Sequence, residues 1–523
     1  MATSIDLSKR EHPLYAKYKP KWDFYMQSVK GGEEYTKSED NLFTHRLESS
    51  SDDYEDRKGR SYFLNYCAAV PQIYADYIFK EKVTRPADSL LAEFRADVDG
   101  RGTSIVTLMR KVSVLSSIFG HIHIIVDMPT IDKTKGAISV KAAKDQKLRP
   151  RLTLVYPQFL KDWSVDVNGL LNWALIQTDR YEDVDPLIDR QDITEYKIIS
   201  RDKWELFDQD SKSAGSGPNE VGEVYLITCY NKDVDLDLIG ESQLTDIAYI
   251  NRAIFNWCSN IDEMIERQTF SQLICPDDGT LSEQEEKTNP LKRIGTSSIF
   301  TFPSDTGHPP AFISPDTKQM DQIWKMIGEH VKEIWRLAGL RSWDEGISTS
   351  QRSGVSMQFS FLDVNSALAS KAGSLEVVEN EIDRLVYKWL GKTDIPAKVN
   401  YPTSFDVLTL TEAIETTFKI VEANISETLN KHLLKSLISK ALPVISEDIK
   451  LLIEKEIEAG DGTIESAALL KQQLQMAQAG QTNDSKAADK TSADKPLPPD
   501  SSNPTQKTLK KEVKKKKEIV TKK

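Results

Sequence analysis

The feature that most constrains the fold is a series of long amphipathic helical patterns between Ser242 and Gly391, separated by two polar segments. In the first pattern, apolar residues recur three or four positions apart, which places them on one face of an α-helix. They are Ile247, Ile250, Ile254, Cys258, Ile261 and Ile265. A polar insert with a short strand follows, and then two further helices. Long helices joined by small inserts favour a spanning scaffold over an enzyme pocket.

The second and third helices carry the same kind of apolar stripe. The second stripe consists of Ile323, Ile327, Val331 and Ile334, flanked by Trp324 and Trp335. The third consists of Leu368, Leu375, Val378, Ile382, Leu385, Val386 and Trp389. Each stripe predicts a helix that packs along one side.

A break rich in glycine and serine separates these two helices. Leu340–Gln358 reads LRSWDEGISTSQRSGVSMQ, and its charged residues are Arg341, Asp344, Glu345 and Arg352. One interpretation is an ordinary surface loop. The other is a moving contact loop, because a loop this long inside a helical region is uncommon without a function.

Length and composition indicate a soluble protein with two or more domains. The chain has 523 residues, of which 39% are hydrophobic and 28% charged, and no run of about 18 apolar residues predicts a membrane span. The N-terminus lacks the apolar core of a signal peptide, so we expect synthesis in the cytoplasm. The four cysteines show no C-x-x-C pairing and are expected to be buried free thiols. They are Cys67, Cys229, Cys258 and Cys275.

Charge is distributed unevenly along the chain. Residues 501–523 contain nine lysines and two glutamates, a net +7, so the total of −12 leaves −19 on residues 1–500. An acidic body argues against tight binding of nucleic acid, because phosphate contacts need Lys or Arg. It is compatible with a surface past which nucleic acid slides. The lysine cluster 510–523 either binds nucleic acid or a partner, or it is a solubilising tail.

The remaining sequence predicts an α+β first half and a helical end. Residues 1–59 are expected to be an arm with short helices, and 61–79 a helix. Strands are predicted at 121–127, 152–156, 172–178, 195–200, 203–207 and 221–230, with Ser211–Gly217 as a flexible turn. Residues 404–476 have helical periodicity. From 477 onward large apolar residues are almost absent, so we expect disorder.

Few residues suggest chemistry, and no phosphate loop, dinucleotide fingerprint, nucleophile elbow or H-E-x-x-H motif is present. His121 and His123 share one face of a predicted strand and could ligate a metal, but a polar strand face explains them better. Asp277-Asp278-Gly279 is interpreted as a turn rather than a cation site. Asp262, Glu263 and Glu266 form either a solvated helix face or part of a channel lining. We expect no active site, cofactor or metal.

The order of these features resembles the portal proteins of tailed bacteriophages. The similarity covers residues 60–392 in order, as a succession of landmarks without a catalytic signature. The landmark stretches are 60–86 (RSYFLNYCAAVPQIYADYIFKEKVTRP), 119–129 (FGHIHIIVDMP), 149–166 (RPRLTLVYPQFLKDWSVD), 244–265 (LTDIAYINRAIFNWCSNIDEMI), 295–303 (GTSSIFTFP) and 353–376 (SGVSMQFSFLDVNSALASKAGSLE).

The resemblance implies a division of the chain into the parts of a portal subunit. Residues 60–241 would form the wing, 242–270 and 316–339 the two stem helices, and 271–315 the clip. Residues 340–357 would form the tunnel loop, with Arg341, Asp344, Glu345 and Arg352 nearest the DNA. Residues 358–403 would be the wing helix and link, 404–476 the helical crown and 477–523 a disordered basic tail.

The resemblance also implies a location and a set of partners. Portal proteins form rings of about twelve identical subunits at one capsid vertex. Double-stranded DNA passes through the ring during packaging and ejection. The major capsid protein, the large subunit of terminase and head–tail adaptor proteins bind around it, and no membrane is involved. Two other hypotheses remain: a head–tail adaptor or scaffold without a DNA-channel loop, and a nucleic-acid-processing enzyme suggested by the basic tail.

Overall fold

The computed structural model divides the chain into two compact units, Met1–Asp406 and Val407–Lys523. Within the first unit it describes residues 6–45, 48, 51–80, 82–129, 149–182, 187, 190–268, 272–277, 299–303, 309–313, 318–340, 354–394, 396–403 and 405. Within the second it describes residues 417, 419–421, 426, 428, 430–435, 453, 455 and 457–458. The first unit combines helices and sheets in separate stretches, which confirms an α+β fold.

Nine α-helices are described in the first unit, beside two short 3₁₀ turns at Leu7–Lys9 and Pro157–Phe159. The α-helices are α1 (Pro13–Lys30), α2 (Gly32–Thr36), α3 (Ser51–Arg60), α4 (Tyr66–Ile78), α5 (Ser89–Ala96), α6 (Ile105–Phe119), α7 (Ile247–Gln268), α8 (Lys318–Leu337) and α9 (Gly354–Trp389). Side-chain caps fix several of their starts: Ser104 accepts a hydrogen bond from Thr107 N at α6, and Asp88 does the same for Leu90 N at α5.

The strands described form four small sheets. They are β1 (His121–Asp127), β2 (Arg151–Val155), β3 (Leu160–Val165), β4 (Leu171–Glu182), β5 (Gln191–Ser200), β6 (Lys203–Phe207), β7 (Ser213–Pro218), β8 (Leu226–Tyr230), β9 (Asp233–Leu236), β10 (Ile239–Gly240), β11 (Gln272–Asp277), β12 (Ile299–Pro303) and β13 (Ala311–Ile313). β1 is the central strand of a three-stranded antiparallel sheet, and β3 to β7 form an antiparallel meander.

The segment Ser211–Gly217, predicted to be a flexible turn, is mostly strand β7, so that prediction is wrong. β7 pairs with β6 along the edge of the meander. Its glycines allow the close pairing, because a Cβ on Gly217 would lie 2.8 Å from Trp204 Nε1. The composition of this segment suggested a loop. In the fold, its small residues allow the edge strand β7 to pack closely over the indole ring of Trp204.

One hydrophobic core joins the helices of the first unit to the sheet around β1. Ten of the 15 residues of α6 and six of the seven residues of β1 are buried. Residues 1–59 contribute to this core rather than only flanking it, since Tyr15, Trp22 and Tyr25 of α1 are 2 to 4% exposed. α1 packs against α4 and α6.

The second unit is described at few positions. All of its described residues except Ser426 are helical. Val421 and Leu434 are buried, and Lys435 forms an ion pair with Glu458. Among the helices in the described parts of the chain, none combines the length and the apolarity that crossing a membrane requires.

Candidate functional site

Two long helices pack against each other, and a small sheet lies between them in sequence. α7 and α8 have 22 and 20 residues, so each extends about 30 Å at about 1.5 Å per residue. The predicted stripes form their contact face: Ile254, Ile261 and Ile334 are at most 7% exposed. The segment between the helices contributes β11, which pairs in parallel with β12 and antiparallel with β13. The short strand predicted within the polar insert corresponds to β12.

The four residues predicted to lie nearest DNA are outside the described residues. Arg341, Asp344, Glu345 and Arg352 all fall in 341–353. Their role therefore stays a prediction. The residues before this segment and the helix after it are described.

The first end of the segment is fixed by the turn that terminates α8. Leu340 is 1% exposed, and its N–H donates to the Trp335 carbonyl at 2.8 Å. Tyr74 of α4 donates its hydroxyl proton to the Ala338 carbonyl at 2.8 Å. Gly339 supplies the positive φ of +70° that this turn needs. The chain is thus attached to the core up to the residue before the segment.

The second end of the segment leads into α9, a helix of 36 residues. The predicted apolar stripe is confirmed, since its members from Leu368 to Val386 are at most 4% exposed. At its C-terminal end, Trp389 donates from Nε1 to the Val126 carbonyl of β1 at 2.7 Å. α9 is therefore held to the core of the first unit along most of its length.

A buried lysine lies in the middle of this attached face. Lys371 is 5% exposed. Its side-chain nitrogen Nζ donates to Ser117 Oγ of α6 and, at 2.8 Å, to Asn231 Oδ1 after β8. Both of these acceptors are neutral. Burial lowers the pKa of Lys371 to about 7, because a charged amine is poorly solvated there.

Two buried carboxylates lie further along the same helix, one turn apart. Glu379 accepts two hydrogen bonds from Arg85, at 2.6 and 3.0 Å, and one from the hydroxyl of Tyr401 at 2.6 Å. Asp383 accepts from Arg95 at 2.6 Å. These contacts connect α9 to the segment before α5 and to α5 itself. Sequence reasoning missed both pairs, although Glu379 and Asp383 fall on the apolar stripe of the helix.

The Asp383 carboxyl illustrates how burial can outweigh an ion pair. Its pKa is raised to about 6, because desolvation exceeds the opposing effect of Arg95. Within the described residues, its second oxygen, Oδ1, and Arg95 Nε have no hydrogen-bond partner. The folded chain therefore binds a proton at Asp383 more readily than the unfolded chain, in which the carboxyl has the ordinary aspartate pKa of 3.8.

This difference predicts a pH-dependent effect of the substitution Asp383→Asn. The wild-type side chain contributes most stability below pH 4 and loses it as the pH rises to 6, so the stability of the variant relative to wild type should rise over that interval. We expect a change of about 1 to 3 kcal/mol, measured from urea unfolding midpoints at a series of pH values. A variant that instead loses relative stability as the pH rises would show that Arg95 dominates.

The histidine pair does not form the polar strand face predicted for it, so that interpretation is wrong. His121 and His123 are at most 1% exposed, because helices and strands cover both sides of β1. His123 Nδ1 lies 2.9 Å from Thr228 Oγ1, and His121 Nδ1 accepts from Gly240 N–H at 3.2 Å. Burial lowers the pKa of His123 to about 3, and the pKa of His121 is also well below its usual value.

The acidic residues near the end of α7 are partly paired. Arg60 of α3 forms ion pairs with Glu263 and, at 2.7 Å, with Glu266. Burial raises the pKa of Asp262. Nowhere in the described residues are three or more His, Cys, Asp or Glu side chains placed to hold a metal ion. Cys67, Cys229 and Cys258 are buried free thiols, as predicted.

Comparison with known proteins gives structural similarities only. No protein-family model matches the chain, and no curated protein matches it. One similar solved structure is described as the neck of a native GTA particle computed with C12 symmetry, at 10% identity and a TM-score of 0.36, covering 68% of this chain and 85% of the other. Another is the neck of an empty GTA particle computed with C6 symmetry, at 10% identity and a TM-score of 0.41, covering 74% and 94%. Similarities of this size carry no conclusion about function.

Proposed function

We propose that this chain is a portal protein that forms a ring at one capsid vertex and conducts double-stranded DNA during packaging and ejection. The proposal includes a docking role for the terminase motor and the head–tail adaptors, contact with the major capsid protein, and no catalytic activity or cofactor. The ring has about twelve subunits, as cyclic assemblies of this family do. Its location is the virion, after synthesis in the host cytoplasm.

The observation that carries this proposal is the succession of α7, a small sheet, α8, the segment 341–353 and α9. The first end of the segment is fixed by buried contacts at Leu340, and the second end leads into α9, which is buried against the core from Val364 onward. In a ring, one such segment per subunit would repeat its charged residues around the axis. The resemblance over residues 60–392 assigns the segment to the DNA channel.

Charge supports the same proposal. Residues 1–500 carry a formal −19, and a ring of such subunits is strongly acidic. Duplex DNA has one negative charge per about 1.7 Å of its axis. A mainly acidic channel repels DNA from all sides and leaves it free to translate. A few arginines, such as Arg341 and Arg352, would then supply local contacts without holding the DNA in place.

Electron microscopy of the purified protein tests the architecture. Negative-stain images should show rings of about twelve subunits with a central channel. A closed ring without a channel loop would favour the adaptor hypothesis. A protein that stays monomeric under all conditions would contradict the proposal.

A second experiment tests the channel residues. Arg352→Glu is expected to reduce DNA packaging about tenfold or more while rings form normally, because a carboxylate replaces a cation that contacts phosphate. Arg180→Glu is the matched control, since Arg180 is an exposed arginine on β4 that pairs with Glu195. Its packaging yield should stay close to wild type. Equal yields for both variants would remove Arg352 from the channel.

A further inference from the structure

The buried lysine of α9 forms no ion pair with a carboxylate in the described part of the chain, which is unusual for a side chain that is charged in water. The two acceptors of Lys371 are a serine hydroxyl on α6 and an asparagine amide oxygen after β8. The same two side chains connect further, because Ser117 Oγ lies 3.5 Å from Asn231 Oδ1 and the Asn231 side-chain amide donates to the Glu241 carbonyl at 3.1 Å. Lys371 thus joins α9 to the point where α6, β1, β8 and the start of α7 meet.

The connection to α7 runs through Ser242. Its hydroxyl donates to the carbonyls of Ser117 and Ile118, and it accepts from Leu244 N–H. The carbonyl of Ser117 also accepts from Gln243 N–H at 2.9 Å. Ser117 is therefore shared between the attachment of α9 and the segment that leads into α7.

The other titratable groups around this point are neutral near pH 7. From β8, the Cys229 thiol has its pKa raised to about 11 by burial. From β1, burial lowers the pKa of His121 and His123, so both rings are uncharged. From α4, burial raises the pKa of the Tyr74 hydroxyl. From α6, the polar side chains at this point are serines, which carry no charge.

The charged groups of neighbouring elements are occupied elsewhere. On α9 itself, Glu379 and Asp383 lie two to three turns away and pair with arginines. The Glu241 side chain pairs with Lys232 at 2.6 Å. Among the described residues, a proton on Lys371 thus has no directly bonded anion to balance it.

We propose that Lys371 is a proton-linked conformational switch: the uncharged amine holds the middle of α9 against α6 and β8, and uptake of a proton releases that part of the helix. The uncharged amine keeps both hydrogen bonds, while the ammonium gains more from water than from two neutral acceptors. α9 directly follows 341–353 in the sequence, so the switch acts on the helix that carries the proposed DNA-contact segment. The proposal concerns the single subunit and does not depend on ring formation.

Hydrogen–deuterium exchange of peptides from 364–389 tests the switch. In the released state Lys371 regains the pKa of a solvated lysine, whereas in the attached state it is about 7. Release is then coupled to proton uptake above pH 7. After correction for intrinsic exchange rates, the opening equilibrium of wild type should be about tenfold larger, or more, at pH 6 than at pH 8.5, with most of the change above pH 7.

Three variants separate the switch from a merely structural role. Lys371→Met should give exchange that no longer depends on pH in this region, and Lys371→Arg should be open at every pH. Lys388→Met is the control, because Lys388 lies on the same helix, 41% exposed, and pairs with Glu223; it should keep the wild-type pH profile. If Lys371→Arg does not fold, the comparison of wild type with Lys371→Met alone shows whether the pH dependence of exchange comes from Lys371. An unchanged pH profile in Lys371→Met overturns the proposal, as does a wild-type profile without pH dependence.

Discussion

Replacement of Gly120 by alanine should destabilise the first unit by about 3 kcal/mol or more and greatly reduce the yield of folded protein. Gly120 ends α6 with a φ of +90°, a conformation that costs an alanine about 1 kcal/mol. In addition, its Cβ would lie 2.2 Å from the carbonyl oxygen of Gly240 and 2.6 Å from the carbonyl carbon. These neighbours are backbone atoms of a buried segment, so they cannot move aside as a flexible side chain does.

Two further glycines separate the cost of the positive φ from the cost of the close backbone contact. Gly102 has a φ of +94° with no described atom within 4 Å of its Cβ position, so Gly102→Ala measures the backbone conformation alone, at about 1 kcal/mol. Gly240 has no positive φ, but its Cβ would lie 2.3 Å from the Gly120 carbonyl oxygen. Gly240→Ala therefore measures the close approach alone and should also be severe. Thermal unfolding midpoints rank the three variants, and equal shifts for Gly102→Ala and Gly120→Ala would show that the two segments separate readily.

The long helices could be predicted from sequence because helical periodicity is a local property. The apolar positions of α7, α8 and α9 repeat every three or four residues, and most of them are buried as expected. Two large exceptions are Ile265 and Trp324, at 46% and 59% exposure. Periodicity shows which face of a helix is apolar. How much of that face is buried depends on which other elements pack against it.

The packing of α1 was missed although its sequence contains the signal. Tyr15, Tyr18, Trp22 and Tyr25 are spaced three, four and three apart, which is the pattern of a helix with one aromatic face. The polar composition of the N-terminal residues suggested an arm. Three of these four rings are buried against α4 and α6 and their neighbours, so the spacing was more informative than the composition.

The histidines of β1 and the lysine of α9 show where pattern reasoning fails. Alternation along β1 correctly put His121 and His123 on one face, but it could not show that this face is also covered. Similarly, the predicted apolar stripe of α9 has no member between Leu368 and Leu375, and Lys371 lies in this gap. Whether a polar residue at such a position is exposed or buried depends on distant segments, here α6 and the residues after β8.

Glu379→Leu is expected to lower the stability of the first unit by about 3 to 5 kcal/mol, because it removes one partner of a buried ion pair. Glu379 is 0% exposed, and the side chain of Arg85 is only 14% exposed. The substitution leaves the guanidinium without its two acceptor oxygens and leaves the Tyr401 hydroxyl without its acceptor. The loss should appear as a lower thermal unfolding midpoint and as faster exchange of amides in α9.

The double variant Arg85→Met/Glu379→Leu distinguishes the value of the pair from the cost of an unpaired charge. Apolar side chains of similar size at both positions should restore most of the lost stability, and the further change Tyr401→Phe should restore more, because no polar group of this cluster is then left unpaired. The exposed pair of Arg336 and Glu333 on α8 is the control, and its disruption should cost about 1 kcal/mol or less. If the double variant is as unstable as Glu379→Leu alone, the pair contributes attractive energy that packing cannot replace, and α9 is held to the core mainly by charge.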